Sequence, residues 1–266
     1  MNHTLKALAV GCLANSVAKT AVCPIDQVKT FMQASDEQQS VGEVVNKIYT
    51  THGITGFWRG NTASLARSVP FAGLKYAIRE GIAEATLGDK TPNPAQSMVI
   101  GAAAGSIAAA VTYPLDTIRT RMVMKQDDKK YSTVSSALAT TIQTEGVGSL
   151  FNGVSTTIVG AALTEGTNYL FYNSSKRQIE SKLDRKMTRT ENVGLGIVTG
   201  IASQSITYPI DTVRKKLQID KNVTITAAIN DLNKKGISSY YPGLFLNSAK
   251  VLPTTAITLA VREALM

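Results

Sequence analysis

Acidic and basic residues recur at a fixed spacing in three places in the sequence. In each place a proline is followed by an aspartate two positions later and by a lysine or arginine five positions later. The sets are Pro24, Asp26 and Lys29; Pro114, Asp116 and Arg119; and Pro209, Asp211 and Arg214. An aspartate and a base three apart on one helix can pair with each other, which stabilises the helix little. In a membrane, however, charged side chains must face protein or water, so three such sets at one depth are predicted to converge on a common axis.

The spacing of these sets predicts three copies of one structural unit. The prolines at 24, 114 and 209 give a period of about 90 residues, too long for a solenoid repeat. We therefore expect one domain, 1–266, built from the repeats 1–90, 91–186 and 187–266, each with two long helices and a connector. The polar stretches 88–94 and 184–189 are predicted linkers.

Hydrophobic periodicity predicts the helices that must position the charged sets. The expected ranges are about 5–33, 41–51 and 62–85, then 95–124, 132–144 and 154–178, and finally 191–219, 223–235 and 247–266. Segments 91–115, 146–164 and 192–210 carry no charge and are long enough to cross a bilayer. The mean hydropathy of +0.02 is closer to that of a soluble protein, so a soluble helical repeat that binds a partner is the alternative. Extraction without detergent would distinguish the two.

Glycine and proline positions repeat with the same period. The prolines of the three sets are predicted to kink their helices. Glycines at 11, 101 and 196 precede them by thirteen residues, and Gly105 and Gly200 by nine, which predicts close helix contacts in lipid. Glycine pairs at 53 and 60, 146 and 153, and 236 and 243 follow each set.

The charge balance indicates an anionic partner. The net charge is +9, but the bases are spread along the chain without a dense cluster among aromatics, which argues against nucleic acid. Anionic lipid or an anionic substrate in a cavity explains the excess better. The two cysteines, Cys12 and Cys23, form no metal motif, and His3 and His52 have no nucleophile or metal-ligand spacing around them. No enzymatic activity, cofactor or metal is therefore expected.

These motifs are similar to the signature of the mitochondrial carrier family. That signature is a proline, an acid two later, a base five later and commonly another base seven later, three times over. Arg121 and Lys216 supply the last base in the second and third copies, whereas Phe31 stands there in the first. The resemblance covers essentially the whole chain. It implies an all-α membrane protein whose six transmembrane helices form a pseudo-three-fold barrel with three short matrix helices. The implied setting is a monomer in the inner membrane of a mitochondrion or related organelle, with cardiolipin at the matrix side.

The resemblance also implies two gates. The matrix gate would pair Asp26 with Arg119, Asp116 with Arg214 and Asp211 with Lys29, braced by Gln33 and Gln218, while Val123 occupies the third brace position. The cytoplasmic gate would contain Glu80, Lys176 and Glu263, of which only Glu80 and Lys176 can form an ion pair. Since the inner gate has more candidate pairs, we expect it to be closed in the absence of substrate.

The implied substrate site lies between the gates. The family's contact positions correspond to Arg67 and Ser68, Gly160 and Ala161, and Lys250 and Val251. Lys19 lies in a stretch, 18–24, that resembles adenine-nucleotide carriers, and the phrase Trp58-Arg59-Gly60-Asn61 is common among carriers of nucleotides and coenzyme A. Lys75 adds a possible fourth base and Glu165 a counter-charge. The alternatives for these bases are that they extend to the membrane interface or pair with an acid on a neighbouring helix, and Lys75 could be neutralised by Glu80 or Glu84.

The function implied is exchange of a small phosphorylated anion, with adenine nucleotides (ATP and ADP, or ATP-Mg and phosphate) as the first candidates. Coenzyme A, thiamine pyrophosphate and S-adenosylmethionine are alternatives. The run of three arginines and three methionines that marks the principal ADP/ATP exchangers is replaced by 214–219, Arg-Lys-Lys-Leu-Gln-Ile, which speaks against strict ADP/ATP exchange.

Overall fold

The computed structural model describes residues 3–35, 37, 39–88, 93–125 and 128–265. Within these ranges every regular element is a helix, arranged as three successive units. The first unit contains α1 (His3–Ala34), α2 (Val41–His52) and α3 (Asn61–Leu87). The second contains α4 (Pro94–Met124), α5 (Val134–Glu145) and α6 (Val154–Leu183). The third contains α7 (Arg189–Ile219), α8 (Ile225–Lys235), α9 (Leu244–Ala249) and α10 (Val251–Leu265).

The predicted helix pattern is confirmed, with one difference in the third unit. The last long helix is divided at Lys250 into α9 and α10. Pro253 has no backbone N–H to donate to the carbonyl of Ala249, four residues earlier, so the helix is weakened at this point. Part of the predicted linker at 88–94 lies outside the described residues. In the other linker, Arg185 donates two hydrogen bonds of 2.7 and 2.9 Å to Glu191 in the first turn of α7.

The long helices pack in sequence around a closed bundle. α3 packs mainly against α4, α6 against α7, and α10 against α1, so each unit contacts the next and the third contacts the first. In the part of the chain that the structure describes, three stretches are long and apolar enough to cross a membrane: Ala95–Met124, Val147–Leu183 and Ile237–Leu265. The other long helices, α1, α3 and α7, are interrupted by charged residues. Large apolar side chains remain exposed on all these helices, as suits a surface in lipid.

Glycines form the closest contacts between units, but not the glycines that the upstream spacing indicated. Among the described residues, no atom outside the local helix lies within 4 Å of the Cβ position of Gly11, Gly101, Gly196 or Gly200, and Gly105 meets only the end of Lys75. The close approaches are at the start of α3, α6 and α9, where a glycine with positive φ lies against the following unit. A Cβ at each would lie 3.4 Å from Arg119, 3.2 Å from Leu217 and 3.4 Å from Lys29; these glycines are Gly60, Gly153 and Gly243.

The prolines at 24, 114 and 209 lie inside α1, α4 and α7, as predicted. In α1, Pro24 leaves the carbonyl of Thr20 without its helical donor. The indole N–H of Trp58 donates to that carbonyl at 2.9 Å. Trp58 ends the short 3-10 helix Ile54–Trp58, which joins α2 to α3. The side chain therefore connects the proline of α1 to the start of α3.

The second and third units are held at the same place by tyrosines. Tyr113 donates to the carbonyl of Asn152 at 2.7 Å, and Tyr208 to that of Pro242 at 2.6 Å. Both tyrosines directly precede the motif proline and are fully buried. The first unit has Cys23 at this position, so it lacks the corresponding phenolic donor. The bond from Trp58 to Thr20 joins the two long helices of that unit instead.

We expect Trp58→Phe to lower the thermal stability of the purified protein in detergent. Phenylalanine keeps most of the apolar contact but leaves the Thr20 carbonyl without its donor, at a cost of about 1 kcal/mol. The midpoint temperature of unfolding measures the effect. Tyr49→Phe is the control, since it removes one polar group from a ring that is 60% exposed on α2. An equal midpoint for Trp58→Phe and the wild type would show that the indole bond does not stabilise the kinked helix.

Candidate functional site

Asp116 is the most heavily paired acid of the predicted matrix gate. It lies on α4, is 3% exposed, and forms an ion pair with Arg214 of α7, as predicted. Lys215 lies 3.5 Å from the same oxygen, Oδ2, and Gln218 donates to it at 2.9 Å. The other oxygen, Oδ1, lies 3.5 Å from Arg67 of α3. One carboxylate thus holds together helices from all three units.

Asp26 of α1 has the same arrangement with fewer partners. Its Oδ2 lies 3.6 Å from Arg119 of α4, the predicted partner. Its Oδ1 accepts a hydrogen bond of 2.6 Å from Lys250, between α9 and α10. Lys250 was predicted to contact substrate rather than the gate. The sequence did not indicate this pair, because the spacing of a motif gives depth in the bundle and not the direction of a long side chain.

The third predicted pair, Asp211 with Lys29, is not formed. Lys29 is 8% exposed and donates to Oδ1 of Asn247 at 2.7 Å, with its ammonium group 5.2 Å from the centre of the Tyr208 ring. Asp211 instead lies 3.8 Å from Arg214 on its own helix. A neutral amide and an aromatic face therefore surround the ammonium group that was expected to meet a carboxylate. The junction between the third and first units has no direct ion pair between these two motif residues.

The two predicted glutamine braces differ. Gln218 donates to Asp116 and accepts from Thr120 and Lys215 at 2.7 and 3.0 Å. Gln33 is buried, but its side-chain nitrogen has no partner among the described residues. Lys215 and Thr120 were missed by the sequence analysis. The one available signal was that Lys215 follows the motif base Arg214 directly, in a run of three bases.

Two of the bases predicted to bind substrate, Arg67 and Lys250, lie directly against these acids, and a third, Lys19, lies beside Arg67. Lys19 donates to Ser68 at 2.6 Å, and Ser68 is buried beside Arg67 on α3. Arg67 contacts Thr112 at 3.4 Å as well as Asp116, and its guanidinium lies 5.2 Å from the centre of the Phe71 ring. Arg67 and Lys250 each reach an acid of the predicted matrix gate, Asp116 and Asp26 respectively; these acids and their partners are called the inner ring below. The predicted substrate site and the predicted gate are therefore in direct contact.

Lys75 and Glu165 face each other from different units. They are 3.8 Å apart, between α3 and α6, and both are partly exposed. Lys75 therefore pairs with neither Glu80 nor Glu84, which were the alternatives considered from sequence. Its chain crosses α4 at Gly105, 3.7 Å from the Cβ position of that glycine, which leaves room for it to pass.

The two small residues at the predicted contact position of the second unit, Gly160 and Ala161, lie in different environments. Gly160 is buried, and a Cβ there would lie 3.3 Å from Ile210 of α7. Gly160 thus lies in the contact between α6 and α7, whereas the sequence analysis expected it to contact substrate. Ala161 is half-buried.

The predicted cytoplasmic gate is not assembled in this conformation. Glu80 and Glu263 are exposed, and no ion pair joins either of them to Lys176 among the described residues. Lys176 instead places its ammonium group 5.9 Å from the ring of Tyr172 on the same helix. The described residues of the predicted matrix gate thus form ion pairs, whereas Glu80, Lys176 and Glu263 of the predicted cytoplasmic gate form none with one another.

Reversing one ion pair tests the inner ring. We expect Asp116→Lys to abolish transport, because it places a fourth base beside Arg67, Arg214 and Lys215. Adding Arg214→Asp in the same chain should recover part of the activity and of the thermal stability, measured by vesicle uptake and by unfolding. Pairing Asp116→Lys with Asp231→Arg, a charge change on α8 away from the ring, is the control. Equal recovery by both partners would contradict a direct role for the Asp116–Arg214 pair.

The comparison with known proteins agrees with the fold and with the motif. The sequence profile of the family described as "Mitochondrial carrier protein" matches three times, at residues 1–90, 90–183 and 185–266. "Mitochondrial substrate carrier family protein P" of Dictyostelium discoideum is 30% identical, over 96% of this chain and 91% of its own length. "Mitochondrial coenzyme A transporter SLC25A42" of Danio rerio is 33% identical, over 80% and 69% respectively.

A third relative is named for a different cargo. "Probable mitochondrial adenine nucleotide transporter BTL2" of Arabidopsis thaliana is 30% identical, over 99% of this chain and 69% of its own length. One assignment follows from the three matches to the family profile, the three helical units and the charged sets on the first long helix of each unit, α1, α4 and α7. The chain belongs to the mitochondrial carrier family, and it is a multi-pass transport protein of the inner membrane.

Proposed function

We propose that the protein exchanges phosphorylated metabolites that contain adenine, by alternating access. The observation that supports this most directly is the placement of Lys19, Arg67 and Lys250 beside the inner ring, deep in the bundle. Bases at this depth are costly to keep in a membrane unless they serve a substrate or a partner. Each has a protein partner in the structure, but two of those partners are acids that a phosphate can replace.

Adenine nucleotides and coenzyme A are the two leading candidates for the substrate. Both join adenosine to several phosphate charges, and relatives of this chain are named for each. Ala161, which is small and half-buried, and Phe71, which lies beside Arg67, offer surfaces for the adenine ring. Thiamine pyrophosphate has phosphates without adenine, and S-adenosylmethionine has adenine without phosphates, so each satisfies one half of the proposed site. Lys75 and Glu165 form an outer part of that site.

Alternating access requires two gates that close in turn. We propose that the inner, matrix gate consists of the ring around Asp26 and Asp116, together with Lys29, Asp211 and the braces, and that Glu80, Lys176 and Glu263 form the outer gate. The conformation described here would then be the one open to the intermembrane side. The repeats 1–90, 91–186 and 187–266 act as one domain, which we propose to function as a monomer with cardiolipin at its matrix side.

Exchange in vesicles tests the substrate. We expect purified protein in liposomes to take up labelled ADP or coenzyme A when the vesicles are preloaded with the same compound, and to take up little when they are empty. The panel should include ATP with Mg²⁺, phosphate, thiamine pyrophosphate and S-adenosylmethionine. Asp116→Lys serves as the inactive control. Exchange of none of the adenine-containing phosphates would reject the proposal.

Substitution of the three bases tests the site. Lys19→Ala, Arg67→Ala and Lys250→Ala should each lower the exchange rate by about tenfold or more, since each removes a charge-assisted contact to an anion. Stability should distinguish them. Arg67→Ala and Lys250→Ala leave a buried carboxylate with fewer partners and should lower the unfolding midpoint, whereas Lys19→Ala, whose partner is a hydroxyl, should not. Lys234→Ala, an exposed base on α8, is the control. Normal exchange by all three variants would exclude these bases from the site.

A further inference from the structure

Asp26 and Asp116 each divide their two oxygens between two kinds of base. In both, one oxygen faces a base of the motif, Arg119 or Arg214. The other oxygen faces a base of the proposed substrate site: Lys250 lies 2.6 Å from Oδ1 of Asp26, and Arg67 lies 3.5 Å from Oδ1 of Asp116. A carboxylate and a phosphate make the same kind of charge-assisted hydrogen bond to such bases. In the structure, the acids therefore occupy the places that anionic groups of a substrate would take.

The third unit of the ring shows that this arrangement depends on the base. Arg67, Gly160 and Lys250 occupy corresponding positions on α3, α6 and at the start of α10. Where the position holds a base, the neighbouring motif aspartate is bound by it. Where it holds Gly160, the helix packs on Ile210, and Asp211 has its described ion pair only with Arg214 of its own helix.

We propose that Asp26 and Asp116 compete with the anionic groups of the substrate for Lys250 and Arg67, in addition to their role in the inner gate. This rests on the proposed function. A phosphate that takes the place of the Asp26 carboxylate on Lys250, or of the Asp116 carboxylate on Arg67, displaces that acid. Binding of the substrate's anionic groups and release of the two carboxylates are therefore one step. A ligand with a single anionic group frees one acid, and a ligand with several frees both.

Competition makes two predictions of opposite sign for the same ion pair. Removing the acid with Asp26→Asn frees Lys250, so anions should bind more tightly. Removing the ring base with Arg119→Gln leaves Asp26 with Lys250 as its remaining ion-pair partner, so anions should bind more weakly. Both substitutions break the pair between Asp26 and Arg119. A simple loosening of the gate would therefore change the affinity in the same direction in both variants.

The experiment is calorimetric titration of the purified carrier with inorganic pyrophosphate, ADP and coenzyme A. We expect Asp26→Asn and Asp116→Asn each to lower the Kd for pyrophosphate by about fivefold or more, the lower end of typical coupling between sites. Arg119→Gln should raise it by a similar factor. In a Lys250→Gln background, Asp26→Asn should change the Kd by less than about twofold, since the base for which the acid competes is gone.

Asp231→Asn is the matched control. It removes the same charge from α8, outside the membrane, where hydrogen bonding from Lys235 and the nearby Lys216 hold the pKa of Asp231 below its ordinary value. Its Kd should equal that of the wild type. An unchanged or higher Kd in the folded Asn variants overturns the proposal, as does a lower Kd in Arg119→Gln, which stands as the test if the Asn variants do not fold.

The titrations and the vesicle exchange assay together separate this proposal from the proposed function. Tighter pyrophosphate binding in Asp26→Asn, with no exchange of any adenine-containing phosphate, would support the competition and reject the function. Exchange of ADP or coenzyme A, with no change of Kd in the variants, would support the proposed function and reject the competition. Failure of the wild type to bind pyrophosphate, ADP and coenzyme A would overturn both.

Discussion

The structure depends on the neutralisation of carboxylates buried at the inner end of the helix bundle. An isolated carboxylate in a low-dielectric interior is strongly unfavourable, so each needs bases and hydrogen-bond donors in close geometry. Asp116 obtains them from α3 and α7, and Asp26 from α4 and the junction of α9 and α10. Asp26 and Asp116 both take their bases from other units, so the contacts that neutralise these two acids also hold the three units together.

The fold was predictable from the sequence because it rests on periodic features. The repeated proline, acid and base fixed three equivalent units, and the ranges of the long helices followed from hydrophobicity and helix-breaking linkers. The pairs Asp26–Arg119 and Asp116–Arg214 join residues that the motif alone places at one depth. Pro253 weakens the last helix near Lys250, but the sequence does not predict its division, because Pro70 occupies the corresponding position in α3 and that helix is continuous.

The details of the site were less predictable, because long side chains choose partners by direction and local competition. Lys29 meets Asn247 and the face of Tyr208 instead of Asp211, and Lys250 reaches Asp26. Nothing in the spacing of these residues indicates such choices. The units have also diverged at single positions: Cys23 replaces the tyrosine of the other two units, and Gly160 replaces a base. The three junctions are consequently held by different chemistry within one pseudo-symmetric frame.

The centre of the bundle carries more positive than negative charge among the described residues. The acids there are Asp26, Asp116 and Asp211, and the bases that surround them are Lys19, Lys29, Arg67, Arg119, Arg214, Lys215 and Lys250. A rearrangement of this centre without an anion would leave unbalanced charge in a medium that solvates it poorly. With a multivalent anion in place, the same movement proceeds near electroneutrality. On the proposed function, we therefore expect the carrier to return slowly without an anion, so that inward passage of one anion is tied to outward passage of another.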